Sequence, residues 1–205
     1  MKREEKNQLT RRRILDSALT EFSRQGYGAS SINQICAAPD LSKGIIYHYF
    51  DTKDDLFLAC VEECFDRLTA YLSGEMQSEQ GSTEEQLEHY FTARTAFFRA
   101  NPVYQRIFCE AVITPPAHLT EEIRARKQAY DALNIQILQH LLAPVSLRAD
   151  LTMGEVIELF RQFQDFINSR QPTAEMSPAE FEAREHLCRR TLNVLLYGVI
   201  EREEH

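Results

Sequence analysis

The feature that most constrains this chain is its punctuation. Ser or Thr recurs three positions ahead of Asp, Glu or Gln: Ser31 with Gln34, Thr52 with Asp55, Thr152 with Glu155, and Ser177 with Glu180, the last enclosing Pro178. A hydroxyl that accepts from the first turn while an acid or amide reaches back is the capping box of an α-helix. Proline is favoured at the first helical position. No run alternates apolar and polar residues between turn pairs, and 205 residues contain only seven Gly. The chain therefore reads as all-α, with about nine helices and no sheet.

Apolar spacing fills in the elements. Leu15, Ala18, Leu19 and Phe22 make one face of a first helix that Gly26 stops. Ser31 opens a short second helix, and Ser42 caps a third after a turn near Pro39-Asp40. A long fourth helix runs from Thr52 to about Gly74, and Ser82 or Thr83 opens a fifth that ends near Asn101. Asn101-Pro102 starts the next, and Thr114-Pro115-Pro116 stops it. Further helices are expected from about Leu119 to Leu142, from Thr152, and from Ser177, with residues 77–81 and 171–176 as loops.

Net charge is −8, but it is unevenly spread: residues 1–53 carry nine Lys/Arg against six Asp/Glu, and residues 54–205 carry fourteen against twenty-five. A basic head on an acidic body points to an anionic partner for the head. No apolar run approaches the roughly 20 residues of a membrane span. The charged N-terminus has no apolar stretch behind it, so a cytoplasmic protein without membrane contact is expected. The five cysteines (Cys36, Cys60, Cys64, Cys109, Cys188) lack CxxC spacing. Cys60 and Cys64, one helical turn apart, read as core filling rather than metal ligands. No metal or cofactor is expected.

Residues 31–50 hold two short helices joined by a turn, the layout of a helix-turn-helix. In the second, only Ile46 and Phe50 fall on an inward stripe. Lys43, Gly44, Ile45, Tyr47 and His48 share the other face, with Tyr49 at the flank, a set suited to close approach to a duplex. Lys53 stands at the first position of the fourth helix, where the helix dipole disfavours a cation. An external phosphate explains it better than intramolecular stability.

The residues Thr10-Arg11-Arg12-Arg13-Ile14-Leu15, Phe22, Gly26-Tyr27, Ser31-Ile32, Ile35, Leu41-Ser42-Lys43-Gly44, Ile46-Tyr47-His48-Tyr49-Phe50, Lys53 and Leu56 resemble the N-terminal DNA-binding domain of the TetR family of transcriptional regulators. The match runs over about residues 9–57 without gaps. One departure is the turn, where the family usually has Ala-Gly and this chain has Pro39-Asp40. The resemblance implies a three-helix DNA-binding domain over residues 1–53 and a larger helical ligand-binding and dimerisation domain over 54–205. It also implies a homodimer on a palindromic double-stranded DNA operator, usually a repressor, released by a small-molecule effector. Carried onto this chain, Ser42 caps the recognition helix. Lys43, Ile45 and Tyr47 approach the major groove, with Gly44 allowing close contact. Tyr47, His48 and Tyr49 mostly touch phosphates, and Ser31 and Lys53 hold further ones.

In the body, helices apolar over more than one stripe are buried in a core or against a second subunit. Phe160, Phe163, Ile167, Leu192, Leu195 and Val199 are the expected dimer contacts, in a four-helix bundle. A pocket is apolar with a few placed polar groups. Tyr90, Phe91, Phe98, Phe108 and Tyr130 supply candidate walls, and Arg94, Asn134 and Gln164 are polar residues within apolar stripes. Arg94 suggests an anionic effector, or else a structural ion pair with Asp66, Glu62 or Glu110. No catalytic motif speaks for an enzyme. A helical protein-binding adaptor is the alternative to a DNA-binding regulator.

Overall fold

A computed structural model describes residues 3–37, 41–77, 81–169 and 177–199. Among these, every regular element is helical: α1 (Arg3–Ala29), α2 (Ile32–Ile35), α3 (Lys43–Tyr49), α4 (Lys53–Glu75), α5 (Thr83–Ala100), α6 (Pro102–Val112), a short 3₁₀ helix (Ala117–Leu119), α7 (Thr120–Arg126), α8 (Gln128–Leu142), α9 (Met153–Ser169) and α10 (Pro178–Val199). No helix of the described residues is long and apolar enough to cross a membrane.

The Ser and Thr caps act as the sequence suggests, although at α2 the Gln34 Oε1 meets Ser31 Oγ at 2.6 Å. Ser31 and Ser42 accept from Gln34 N and Ile45 N. Asp55, Glu155 and Glu180 reach back to the backbone N–H groups of Thr52, Thr152 and Ser177. A further box stands at α5, where Glu85 Oε2 accepts from Ser82 N at 2.8 Å. Two expectations differ. Gly26 does not end α1; it breaks it, with φ 75 and ψ 165 inside the helical run. The single helix expected from about Leu119 to Leu142 is instead a 3₁₀ turn and two α-helices, because Lys127 takes φ −88, ψ 2 and gives its N–H to both Ile123 O and Ala125 O. The Pro39-Asp40 turn and residues 171–176 lie outside the described residues.

The backbone gathers into two compact units, Met1–Arg67 with Asn101–Gln128, and Leu68–Ala100 with Ala129–His205. In the first, Ile14, Ala18, Phe22, Ile35, Ile46, Leu56 and Phe57 are fully buried. Phe22 and Phe57 meet edge-on with ring centroids 5.2 Å apart. The α1 and α6 helices pack along each other. Two of the sequence-flagged cysteines, Cys60 and Cys64, are fully buried here, and burial pushes both thiols well above their ordinary range. In the second unit, α5 and α10 pack together, with Phe98 against Phe181 at 5.1 Å.

Candidate functional site

The first unit presents α3. Ile46 and Phe50 are buried beneath it, and the Arg11 guanidinium lies 5.4 Å from the Phe50 ring centre. The opposite face is open: Ser42, Lys43, Gly44, Tyr47 and His48 are exposed, and Ile45 and Tyr49 are half-buried. Tyr47 leaves 48% of its surface to solvent, a large aromatic without an intramolecular reason to be there. A Cβ placed on Gly44 would meet only Ser42 Oγ, at 4.0 Å, so nothing within the chain requires a glycine at that point. Its bare backbone leaves room for something outside the chain. The His48 and Tyr49 rings pack edge-on at 5.2 Å.

Behind α3, the end of α1 is tied down by polar contacts. The Lys53 ammonium donates to Tyr27 O (2.8 Å) and Ser30 O (3.2 Å) and sits 4.1 Å from the Tyr27 ring centre. Two of its three N–H donors are thus taken by carbonyls of its own unit, and one remains beyond them. The Tyr27 hydroxyl donates to Asp54, whose other oxygen lies 3.0 Å from His118 Nε2. The Tyr27 hydroxyl holds the Asp54 carboxyl below its ordinary range, against burial, with His118 adding to it. Ser31 is half-buried at the start of α2.

The second unit contains a buried polar cluster. Arg94 is 7% exposed, and its Nε and Nη2 both reach Glu185 Oε2 at 2.6 Å. Nη1 donates to the hydroxyls of Tyr130 (3.2 Å) and Tyr90 (3.4 Å), and Tyr90 in turn donates to Asn134 Oδ1 at 2.6 Å. The guanidinium is also 5.0 Å from the Phe91 ring centre. Burial works against its charge, and Glu185 together with Tyr130, Tyr90 and Cys188 more than offsets that. Five of the eight candidate pocket residues therefore meet: Tyr90, Phe91, Arg94, Tyr130 and Asn134. Phe98 packs on Phe181 in the same unit, and Phe108 belongs to the first unit, 5.9 Å from Phe65. The Gln164 side chain lies outside the described residues.

The partner of Arg94 was not among the carboxylates considered from sequence. Glu185 stands on one stripe with Phe181, Cys188, Leu192 and Leu196, all buried. A carboxylate inside an apolar stripe at helical spacing was the available signal. Two atoms of the cluster, Asn134 Nδ2 and Glu185 Oε1, are buried without a hydrogen-bond partner.

Of the expected dimer contacts, Phe160 and Leu192 are buried within the chain, at 7% and 5% exposure. Phe163 and Leu195 are half-buried, and the side chains of Ile167 and Val199 lie outside the described residues. Among the described residues of α9 and α10, the large apolar side chains left to solvent are Leu159, Leu187, Val194 and Tyr197.

A capped three-helix head with one helix presented outward defines a helix-turn-helix transcription regulator. Comparison with known proteins agrees. A family model described as bacterial regulatory proteins, tetR family, matches residues 14–60. The HTH-type transcriptional repressor Rv1474c of Mycobacterium tuberculosis is 31% identical over 127 residues, which are 58% of this chain and 67% of that one. The biofilm operon icaADBC negative transcriptional regulator IcaR of Staphylococcus epidermidis is 30% identical over 60 residues, 29% of this chain and only 32% of its own length. Among solved structures, the transcriptional regulator FadR from Bacillus subtilis, in complex with stearoyl-CoA, superposes with TM-score 0.67 at 15% identity, over 91% of this chain and 98% of that one. The chain belongs to the TetR family of bacterial regulatory proteins, which are transcription factors rather than enzymes.

Proposed function

We propose that this chain is a homodimeric repressor that binds a palindromic DNA operator and leaves it when a small molecule binds the second unit. The observation that carries the reading is the outward face of α3, where Lys43, Gly44, Tyr47 and His48 are exposed above buried Ile46 and Phe50. Donors, aromatics and a bare backbone on one helix face suit a major groove. Lys43, Ile45 and Tyr47 approach bases or backbone. Ser31, His48, Tyr49 and the remaining Lys53 donor meet phosphates, which fix register rather than sequence.

A two-fold operator requires a two-fold protein. Leu187 and Val194, 49% and 66% exposed, together with Leu159 and half-buried Phe163 and Leu195, form the face for a second copy. Phe160 and Leu192 support it from the core. The effector site is built around Arg94. Because Glu185 already holds the guanidinium, an acidic effector would have to displace that carboxylate. Glu185 Oε1, with Arg184 Nη1 at 3.7 Å but no hydrogen bond, and Asn134 Nδ2 instead offer an acceptor and a donor, which suits an effector carrying a hydroxyl or amide group. That FadR was solved with stearoyl-CoA supports a ligand in this fold.

Electrophoretic shifts with the DNA upstream of the chain's own gene test the reading. A regulator gives a sequence-selective shift that weakens with salt. An adaptor gives none. Thermal-shift screening of a metabolite library then finds the effector as a compound that raises the melting temperature and abolishes the shift.

A further inference from the structure

The stretch from Gly26 to Ser31 joins α1 to α2, and α2 is only four residues long. A helix that short does not hold its own orientation. Ser31 caps it, Ser30 Oγ donates back to Gly26 O at 2.6 Å, and Gly26 adopts φ 75. The far end of α2 is held by buried Ile35 and by Ser17 Oγ of α1, which donates to Ile35 O at 2.8 Å; the junction at its near end is held by side chains from later in the sequence.

Four side chains converge on it, all within the first unit. Lys53 takes the carbonyls of Tyr27 and Ser30. Asp54 takes the Tyr27 hydroxyl. The other two belong to the stretch 101–128, outside the head defined by sequence. Glu110 Oε1 on α6 accepts from Tyr27 N at 2.8 Å. His118 Nε2, in the 3₁₀ helix, lies 3.0 Å from Asp54 Oδ2 and 3.2 Å from the Tyr27 hydroxyl. A carboxylate only accepts, so Nε2 carries the proton and donates to Asp54. A side chain at position 26 would meet Glu110 Oε1 at 3.3 Å and Arg106 Nη2 at 3.4 Å, so the same arm also crowds the glycine.

We propose that His118 and Glu110 are positioning residues for DNA binding: by holding Tyr27, they set the entry angle of α2 and with it the seating of α3 in the groove. The proposal rests on the reading of the chain as a DNA-binding regulator. Neither residue needs to touch DNA. Their effect falls on the fit to the right sequence rather than on attraction to phosphates in general.

The test uses the full chain, a duplex selected by the wild-type protein from a random library, and a scrambled duplex of equal length. His118→Phe keeps the ring volume and loses the donor. It is expected to weaken binding to the selected duplex about fivefold, the upper range for a partly exposed charged contact. Binding to the scrambled duplex and the salt slope stay unchanged. His118→Gln, which can still donate to Asp54, restores the selectivity. Asp54→Asn combined with His118→Phe loses less than the two single losses together. Tyr27→Phe, which removes only a hydroxyl, replaces His118→Phe should the latter fail to fold, with the same loss expected. Equal losses on both duplexes, or no loss on the selected one, overturn the positioning role. A wild-type chain that selects no duplex overturns the DNA-binding reading and the proposal with it.

Discussion

Arg94 meets one oxygen of Glu185 at 2.6 Å and the buried Arg184 lies 3.7 Å from the other, so removing Arg94 takes away the nearest cation of Glu185, and removing Glu185 takes a shared carboxylate from two buried guanidinium groups. Arg94→Ala should therefore destabilise the chain, by at most about 3–5 kcal/mol because Arg184 stays beside Glu185. Urea unfolding midpoints check this; an Arg94→Ala chain that unfolds at the wild-type midpoint contradicts the structural role. At Lys53, two donors already bind carbonyls. If the third meets a phosphate, Lys53→Ala lowers the slope of log affinity against log salt by about one. An unchanged slope with reduced selectivity would instead assign Lys53 wholly to the junction at Tyr27 and Ser30.

At the scale of the elements, the exposed apolar residues of α9 and α10 make the sharpest prediction. Val194→Glu, or Leu187→Glu, should leave the helices folded, because both side chains face solvent within one chain. Either should turn a dimer into a monomer in sedimentation and abolish operator binding, since one head covers one half-site. Helix starts were legible because capping is local chemistry: Ser31, Ser42, Thr52, Thr152 and Ser177 announce them within four residues. The α7–α8 break was not legible, because Arg126-Lys127-Gln128 holds no glycine or proline and the departure at Lys127 is a backbone matter. The reading face of α3 could be derived from Ile46 and Phe50 alone. Glu185, Glu110 and His118 could not be assigned partners, because contacts across 91, 83 and 64 positions leave no trace in spacing.

For the whole molecule, the partly buried carboxylates of the first unit contribute to how stability varies with pH. Burial pushes Glu63 up, but hydrogen bonds from Arg12 and Tyr104 and the charges of Arg12 and Arg67 bring it below its ordinary range. Asp54 lies below its range as well. Groups depressed in the folded state stabilise it above their unfolded pKa, about 4, and lose that contribution as pH falls through the folded value. Glu110 is the opposite case: burial raises it, despite the Tyr27 N–H, Arg106 and Lys53. Its contribution is complete below the unfolded pKa and is lost as pH rises through the folded one. Glu110→Gln should therefore stabilise the chain at pH 7 and change little at pH 4, whereas Glu63→Gln should destabilise it at pH 7. Urea titrations at the two pH values decide both. The uneven charge of the chain, with nine Lys/Arg to six Asp/Glu in the first 53 residues and an acidic remainder, fits the proposed DNA-binding role of the head. The most direct measurement is fluorescence anisotropy of the purified chain with a palindromic duplex selected by it and with the scrambled duplex, across a range of salt. The account predicts that two chains bind the selected duplex, at least about a thousandfold more tightly than the scrambled one, with log affinity falling linearly in log salt. Equal affinity for both duplexes, or binding indifferent to salt, would contradict it.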